Sequence, residues 1–133
     1  MKKNLIALLI LVVSTASFAQ LAVKPEPVSF DDAIFNWSAT SFDFGKIKLN
    51  VPVTHEFTFV NKGSAPLIIS GVQASCGCTV AQYSKDPIGP GQQGFVKATY
   101  NAAHEGTFTK TVTINANTEE SAVVLTIKGE VIK

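Results

Sequence analysis

Short runs of alternating apolar and polar residues, separated by turn residues, limit what this chain can fold into more than any other feature. In residues 53–60, the side chains of Val53, Phe57 and Phe59 fall on one side of an extended strand. Threonine and glutamate side chains fall on the other side. Because side chains alternate between the two faces of a strand, this pattern predicts a strand with one buried face.

Comparable patterns recur from about residue 34 to the end of the chain, with turn residues such as Gly45 between them. Further strands are predicted at residues 41–44, 67–72, 76–80, 95–100, 108–114 and 123–131. After residue 19, no window of about a dozen residues keeps the apolar period of about 3.6 residues that a helix would show. The sequence therefore predicts an all-β domain of about seven short strands.

Short strands at this spacing are typical of an immunoglobulin-like β-sandwich, and a small closed barrel is the alternative. The proline- and glycine-rich segment at residues 85–91 cannot continue a helix or a strand and must form a loop. A long loop favours the sandwich, because Greek-key connections cross between sheets. The threonine-rich outer faces also indicate strands that are half exposed to water.

The first nineteen residues have the pattern of a secretory signal peptide. Lys2 and Lys3 precede a nine-residue apolar run, and Ser17-Phe18-Ala19 forms a cleavage site. The run is shorter than the roughly 20 apolar residues that a spanning helix needs. A lipid anchor would require a cysteine where Gln20 stands.

This pattern predicts three parts of the chain: a cleaved signal peptide at 1–19, a leading segment at 20–33, and the sandwich domain at 34–133. The protein is expected to be exported to the periplasm or the cell exterior. No membrane span is expected once the signal peptide has been removed.

Charge and composition argue against several classes of function. The whole chain has a net charge of +1, and all eleven basic residues are lysine. A nucleic-acid partner is not expected, because such proteins use a basic excess and arginine side chains. The carboxylates are scattered singly and no nucleophile-elbow pattern occurs, so we expect neither an enzyme nor a resident cofactor.

The segment Ser75-Cys76-Gly77-Cys78-Thr79 is the one unusual group of reactive residues. In an exported protein, a disulfide between Cys76 and Cys78 is the first hypothesis. Residues i and i+2 of a regular strand have Cα atoms about 6.4–6.8 Å apart, at the outer limit for a disulfide. A bulge or turn at Gly77 would bring them closer.

Three interpretations of the pair stay open. The cysteines could be packed or bonded passively, they could exchange electrons with other thiols, or they could bind copper(I) as two soft ligands. A three-residue loop gives a disulfide only about 1.6 kcal/mol of loop-closure stabilisation. A disulfide between the two cysteines would therefore stabilise the fold only weakly.

His55 and His104 are the two imidazoles that could complete a metal site with Cys76 and Cys78. His55 is in phase with the buried face of its predicted strand, which favours a core position. His104 lies in a polar loop, which favours a solvated side chain. Trp37, the single tryptophan, is expected to anchor the core.

These residues together resemble the bacterial domain-of-unknown-function 1573 family from about Phe42 to Val131. The motifs that carry the resemblance are Phe42-Asp43-Phe44-Gly45-Lys46-Ile47, His55-x-Phe57-x-Phe59-x-Asn61-Lys62-Gly63, Pro66-Leu67-x-Ile69, Ser75-Cys76-Gly77-Cys78-Thr79, Pro90-Gly91 and Gly106-x-Phe108-x-Lys110. The resemblance implies a sandwich related to pilus-chaperone and major-sperm-protein folds, exported by Bacteroidota-type bacteria, with no assigned activity. Many members have glycine where Asn50-Val51 stands, so a different turn is expected there.

We therefore expect a non-enzymatic exported module that binds another protein or an envelope component through its sheet edges and loops. The alternative is an extracytoplasmic copper-binding or thiol-redox factor that uses Cys76 and Cys78.

Overall fold

The computed structural model describes residues 32–120 and 122–133, which form a two-layer β-sandwich. The predicted signal peptide at 1–19, and the leading segment up to residue 31, lie outside the described residues. Eight strands and no helix occur in the described ranges. In chain order the strands are β1 (Phe35–Trp37), β2 (Ser41–Lys48), β3 (Val53–Asn61), β4 (Ile69–Ala74), β5 (Thr79–Tyr83), β6 (Gln93–Tyr100), β7 (Gly106–Ala116) and β8 (Val123–Ile132).

The strands form two four-stranded sheets. Sheet I has the order β1-β3-β6-β5 and sheet II the order β2-β8-β7-β4. Neighbouring strands are antiparallel except β2 and β8, which run parallel. The predicted all-β sandwich is confirmed, and the short strand β1 adds to the seven or so that were expected. No helix in the described part of the chain is long and apolar enough to span a membrane.

The core lies between the sheets, where alternate residues of each strand point inward. Along β6, β7 and β8 the buried apolar side chains alternate with more exposed ones, as the sequence pattern predicts. The buried ones are Val96, Ala98, Tyr100, Phe108, Val112, Ile114, Val123, Leu125, Ile127 and Val131. Burying a side chain such as valine, leucine or phenylalanine stabilises the fold by about 1.5–3 kcal/mol relative to leaving it exposed. The alternating pattern is therefore what holds the two sheets together.

Aromatic rings pack the core beneath β1. Phe59 of β3 is completely buried, and its ring lies 4.8 Å from the ring centroids of both Phe35 and Trp37. Phe35 and Trp37 also stack on each other at 5.0 Å. Trp37 thus packs against the core, as its apolar surface suggests, and β1 covers one end of β3.

The turn predicted at Gly45 differs from the structure. Gly45 does not end its strand: it lies in a bulge inside β2, where the register against β8 shifts between Asp43 and Lys46. The φ of Gly45 is +68°, and the Asp43 carboxylate accepts its N–H at 2.8 Å, so a local hydrogen bond supports the bulge. At the next turn Asn50 itself takes the left-handed conformation, with φ of +60°, which asparagine tolerates better than most residues.

Candidate functional site

The Cys-Gly-Cys segment lies in the turn between β4 and β5, where the chain passes from sheet II to sheet I. The strand predicted at residues 76–80 is therefore wrong in its first half, because β5 begins only at Thr79. Cys76 and Cys78 are joined by a disulfide, with their Cα atoms 5.2 Å apart. This separation is shorter than a regular strand allows, and the turn at Gly77 provides it.

Hydrogen bonds attach this turn to both sheets. On the sheet II side, the Ser75 N–H donates to the Thr111 carbonyl at 2.8 Å, and the Thr111 N–H donates to Ser75 Oγ at 3.0 Å. On the sheet I side, the Asn101 N–H donates to the Cys78 carbonyl at 3.0 Å. The backbone on each side of the disulfide is therefore held by contacts that do not involve sulfur.

The two sulfur-bearing residues have different surroundings. Both side chains are half-buried, but Cys78 packs against the hydrophobic core and Cys76 is not part of that cluster. Cys76 Sγ lies 3.7 Å from the hydroxyl of Thr79, a residue that is only 5% exposed.

Removing the disulfide is expected to change stability little. The double variant Cys76→Ser/Cys78→Ser should lose at most about 1.6 kcal/mol of unfolding free energy, because a three-residue loop restricts the unfolded chain only slightly. Urea denaturation of the oxidised protein and the variant measures this difference. A decrease of several kcal/mol in the free energy of unfolding would show that the fold depends on the bond.

The two histidines do not join the cysteines. His55 is half-buried and stacks face to face on Phe42, with ring centroids 3.7 Å apart. Burial lowers the pKa of His55 below 6.5, and the neighbouring Glu56 carboxylate opposes part of this shift. His104 is exposed in the loop before β7. Among the described residues, no three His, Cys, Asp or Glu side chains come together as a metal site would require.

The two open sides of the sandwich differ in charge. β2 and β1 lie at one side, where β2 has a bulge and carries Asp43, Lys46 and Lys48, and β1 is only three residues long. β4 and β5 contact each other at the opposite side, and neither strand contains a charged residue. Charges, bulges and short length protect sheet edges against strand addition. The strands β4 and β5 lack such charges, and Lys85 is the first charged residue after β5.

The alternation of backbone groups along β5 shows which of them are open. The Cys78 carbonyl accepts from the Asn101 N–H just after β6, and the Ser84 N–H donates to the Phe95 carbonyl of β6. Because backbone groups alternate in direction along an antiparallel strand, the N–H and C=O groups of the even-numbered residues of β5 point towards β6. Ala81 and Tyr83 therefore direct their N–H and C=O groups towards the open edge. Val80, on the outer face, is 61% exposed. A depression of about 440 Å³ beside the end of β5 is lined by residues that include Tyr83, Pro87 and Phe95.

One residue to which the sequence assigned no role, Asn61, lies where the loops that follow β3 and β5 meet. Asn61 begins an Asn-Lys-Gly run that has the composition of a turn, but it is the last residue of β3 and is completely buried. Its side-chain amide donates to the carbonyls of Ala65 and Ile88, at 2.8 and 2.9 Å. Its side-chain oxygen accepts from the backbone N–H groups of Ile34 and Gly63. An asparagine directly after an alternating apolar run was the available signal.

The fold and the edges described above define an immunoglobulin-like sandwich with one open side whose two strands carry no charged residue. Residues 35–131 match the family described as Protein of unknown function (DUF1573), and the chain belongs to this family. The resemblance carried by the sequence motifs is thus confirmed. No curated protein matches the chain.

Solved structures show the same fold at low sequence identity. A protein of unknown function from Porphyromonas gingivalis W83 is 16% identical with a TM-score of 0.66, covering 74% of this chain and 46% of that one. The PapD-like domain 7 of human CEP192 is 11% identical with a TM-score of 0.58, covering 77% of this chain and 88% of that one. The VesB protease of Vibrio cholerae is 14% identical with a TM-score of 0.59, and the match covers 74% of this chain and 32% of the protease chain.

This chain therefore spans less than half the length of the Porphyromonas gingivalis protein and about a third of VesB. At these identities the likeness is one of fold, and the PapD-like neighbour agrees with the predicted relation to pilus-chaperone folds.

Proposed function

We propose that this protein is a non-enzymatic exported module, acting in the periplasm or outside the cell, that binds an extended segment of a partner protein at the β5 edge. The observation that carries the proposal is the open side formed by β4 and β5, two strands that contain no charged residue. Strand addition needs unpaired backbone groups in a row, and Ala81 and Tyr83 present them.

The surroundings of β5 supply contacts for side chains of such a segment. The exposed Val80 offers an apolar contact on the outer face of sheet I. Lys85 lies 3.5 Å above the ring of Tyr83, beside the depression at the end of β5. Main-chain hydrogen bonds would give affinity, and this depression would select one side chain of the partner.

The β2 side does not favour the same interaction. A strand added there would meet Asp43, Lys46 and Lys48 and a bulge that interrupts the regular spacing of backbone groups. The proposal therefore predicts that the partner binds at the β5 edge and not at the β2 edge.

The test places a photo-crosslinking amino acid at Gln82 in the full-length protein, expressed in cells that export it. Gln82 is exposed on β5, next to the proposed contact. We expect crosslinks to a protein partner at Gln82 and a loss of at least about ten-fold when Ala81→Pro is added, because proline removes the open N–H. The same crosslinker at Lys128, on β8 inside sheet II, is the matched control position.

Urea unfolding separates loss of binding from loss of fold. Ala81→Pro should cost less than about 1 kcal/mol, since its N–H does not bond to β6, whereas Gln82→Pro should cost about 2–3 kcal/mol through a lost ladder bond. Crosslinks at Gln82 that persist undiminished in a folded Ala81→Pro variant, or that occur only at Lys128, would contradict the proposal.

A further inference from the structure

We infer that the Cys76–Cys78 disulfide is a thiol–disulfide exchange site that passes electrons to and from a protein dithiol. This inference goes beyond the proposed binding at β5, and neither depends on the other. It rests on three observations: the short loop that the bond closes, the contacts that hold the turn without it, and the unequal surroundings of the two sulfurs.

The fold holds this bond only weakly. If the disulfide raises the free energy of unfolding, folding must favour the disulfide over the two thiols by the same free energy, because the two effects belong to one thermodynamic cycle. For a three-residue loop, folding should favour the bond by no more than about 15-fold. Structural disulfides of secreted proteins resist reduction by glutathione, whereas labile ones are regulatory or catalytic.

The turn can keep its position when the bond opens. Ser75 is bonded to Thr111 on one side, and the Cys78 carbonyl to Asn101 on the other, through backbone and hydroxyl groups. The reduced thiols would therefore stay close together, ready to form the bond again. Repeated opening and closing requires this arrangement, because a pair that separates on reduction re-forms slowly.

The two sulfurs have different roles in the exchange. Cys76 lies outside the core cluster and is the sulfur that an incoming thiolate attacks, while Cys78 packs against the core and is the leaving group. The Thr79 hydroxyl, 3.7 Å from Cys76 Sγ, can donate a hydrogen bond to Cys76 as a thiolate.

The electron balance is that of a two-step exchange. A thiolate of the partner dithiol forms a bond to Cys76 Sγ, the Cys76–Cys78 bond breaks, and the electron pair leaves on Cys78, which takes up a proton. The partner's second thiolate then attacks the partner's own first sulfur and releases Cys76, which takes up a second proton. Two electrons and two protons have moved: the partner becomes a disulfide and Cys76 and Cys78 become thiols. The reverse sequence oxidises the pair.

The first experiment equilibrates the protein with reduced and oxidised glutathione, folded in buffer and unfolded in concentrated urea. Alkylation of free thiols followed by mass spectrometry gives the reduced fraction. We expect glutathione to reduce the native bond, with equilibrium constants for folded and unfolded chain that agree within about 15-fold. A native bond that is harder to reduce than the bond of the unfolded chain by more than about 15-fold would overturn the inference.

The second experiment measures which sulfur is attacked. An aromatic disulfide reagent is reacted with Cys78→Ser, which keeps Cys76, and with the matched variant Cys76→Ser, which keeps Cys78. We expect the Cys76 thiol to react at least about ten-fold faster, because Cys78 packs against the core. Equal rates, or a faster Cys78, would overturn the assigned roles. Crosslinking at Gln82 is unaffected by either result, so the two proposals fail separately.

Discussion

Replacing Asn61 by alanine is expected to lower the free energy of unfolding by about 4 kcal/mol, the largest loss that we predict for a single substitution. The side chain makes four hydrogen bonds, and each is worth about 1 kcal/mol net. The bond to the Ile88 carbonyl is buried, so water cannot easily replace it, although this carbonyl still accepts from the Leu67 N–H. Because domains of this kind are stable by only about 5–15 kcal/mol, much of the stability would be lost.

Urea denaturation at neutral pH measures the effect, and Asn117→Ala is the matched control. Asn117 makes two side-chain hydrogen bonds of similar length, to Ile68 and Pro66, but they are exposed. Removing the Asn117 amide should lower the free energy of unfolding by about 1 kcal/mol, since water can replace the amide. If both variants lost the same amount, burial of the Asn61 amide would not be the cause.

Asn61→Asp tests the direction of the hydrogen bonds. A carboxylate can still accept from the N–H groups of Ile34 and Gly63, but it cannot donate to the carbonyls of Ala65 and Ile88. This variant should therefore be destabilised at neutral pH and regain part of the loss at low pH, where a protonated carboxyl can donate.

The alternating pattern predicted most of the fold because it reflects which residues lie between the sheets. It placed the buried faces of β6, β7 and β8 correctly. It did not find Asn61, because asparagine followed by lysine and glycine has the composition of a turn, and burial of a polar residue depends on partners up to 27 positions away. The bulge at Gly45 was missed for a similar reason: glycine favours both turns and bulges, and pairing with β8 decides between them.

The sequence predicts some features of the candidate sites and not others. Cys76 and Cys78 were recognised from their spacing, but whether they lie in a strand or a turn depends on where the chain changes sheets. The contrast between the β2 and β4/β5 sides depends on sheet order, which the separate strand patterns do not contain. His55 was correctly assigned to the inward face of β3, although its stacking on Phe42 of β2 joins residues of different sheets.

Replacing Gly94 by alanine is expected to cost about 3 kcal/mol, the second largest loss. Gly94 lies directly opposite Phe59 in the β3–β6 pair, and an added Cβ would lie 2.8–2.9 Å from two ring carbons of Phe59 and still closer to Cζ. Phe59 cannot easily move, because it is completely buried between Phe35 and Trp37. Overfilling a packed core in this way typically costs about 1–3 kcal/mol, and occasionally more.

The control for this prediction is Gly71→Ala, another strand glycine. No atom lies within 4 Å of a Cβ at Gly71, so this variant should be neutral or gain up to about 1 kcal/mol from reduced freedom of the unfolded chain. Phe59→Leu offers a second comparison, because a smaller side chain makes room for the new Cβ. In the double variant with Gly94→Ala, the total loss should be smaller than the sum of the two single losses. Strict additivity would mean that the Phe59 ring is not the obstacle, and that β6 needs a glycine at this position for another reason.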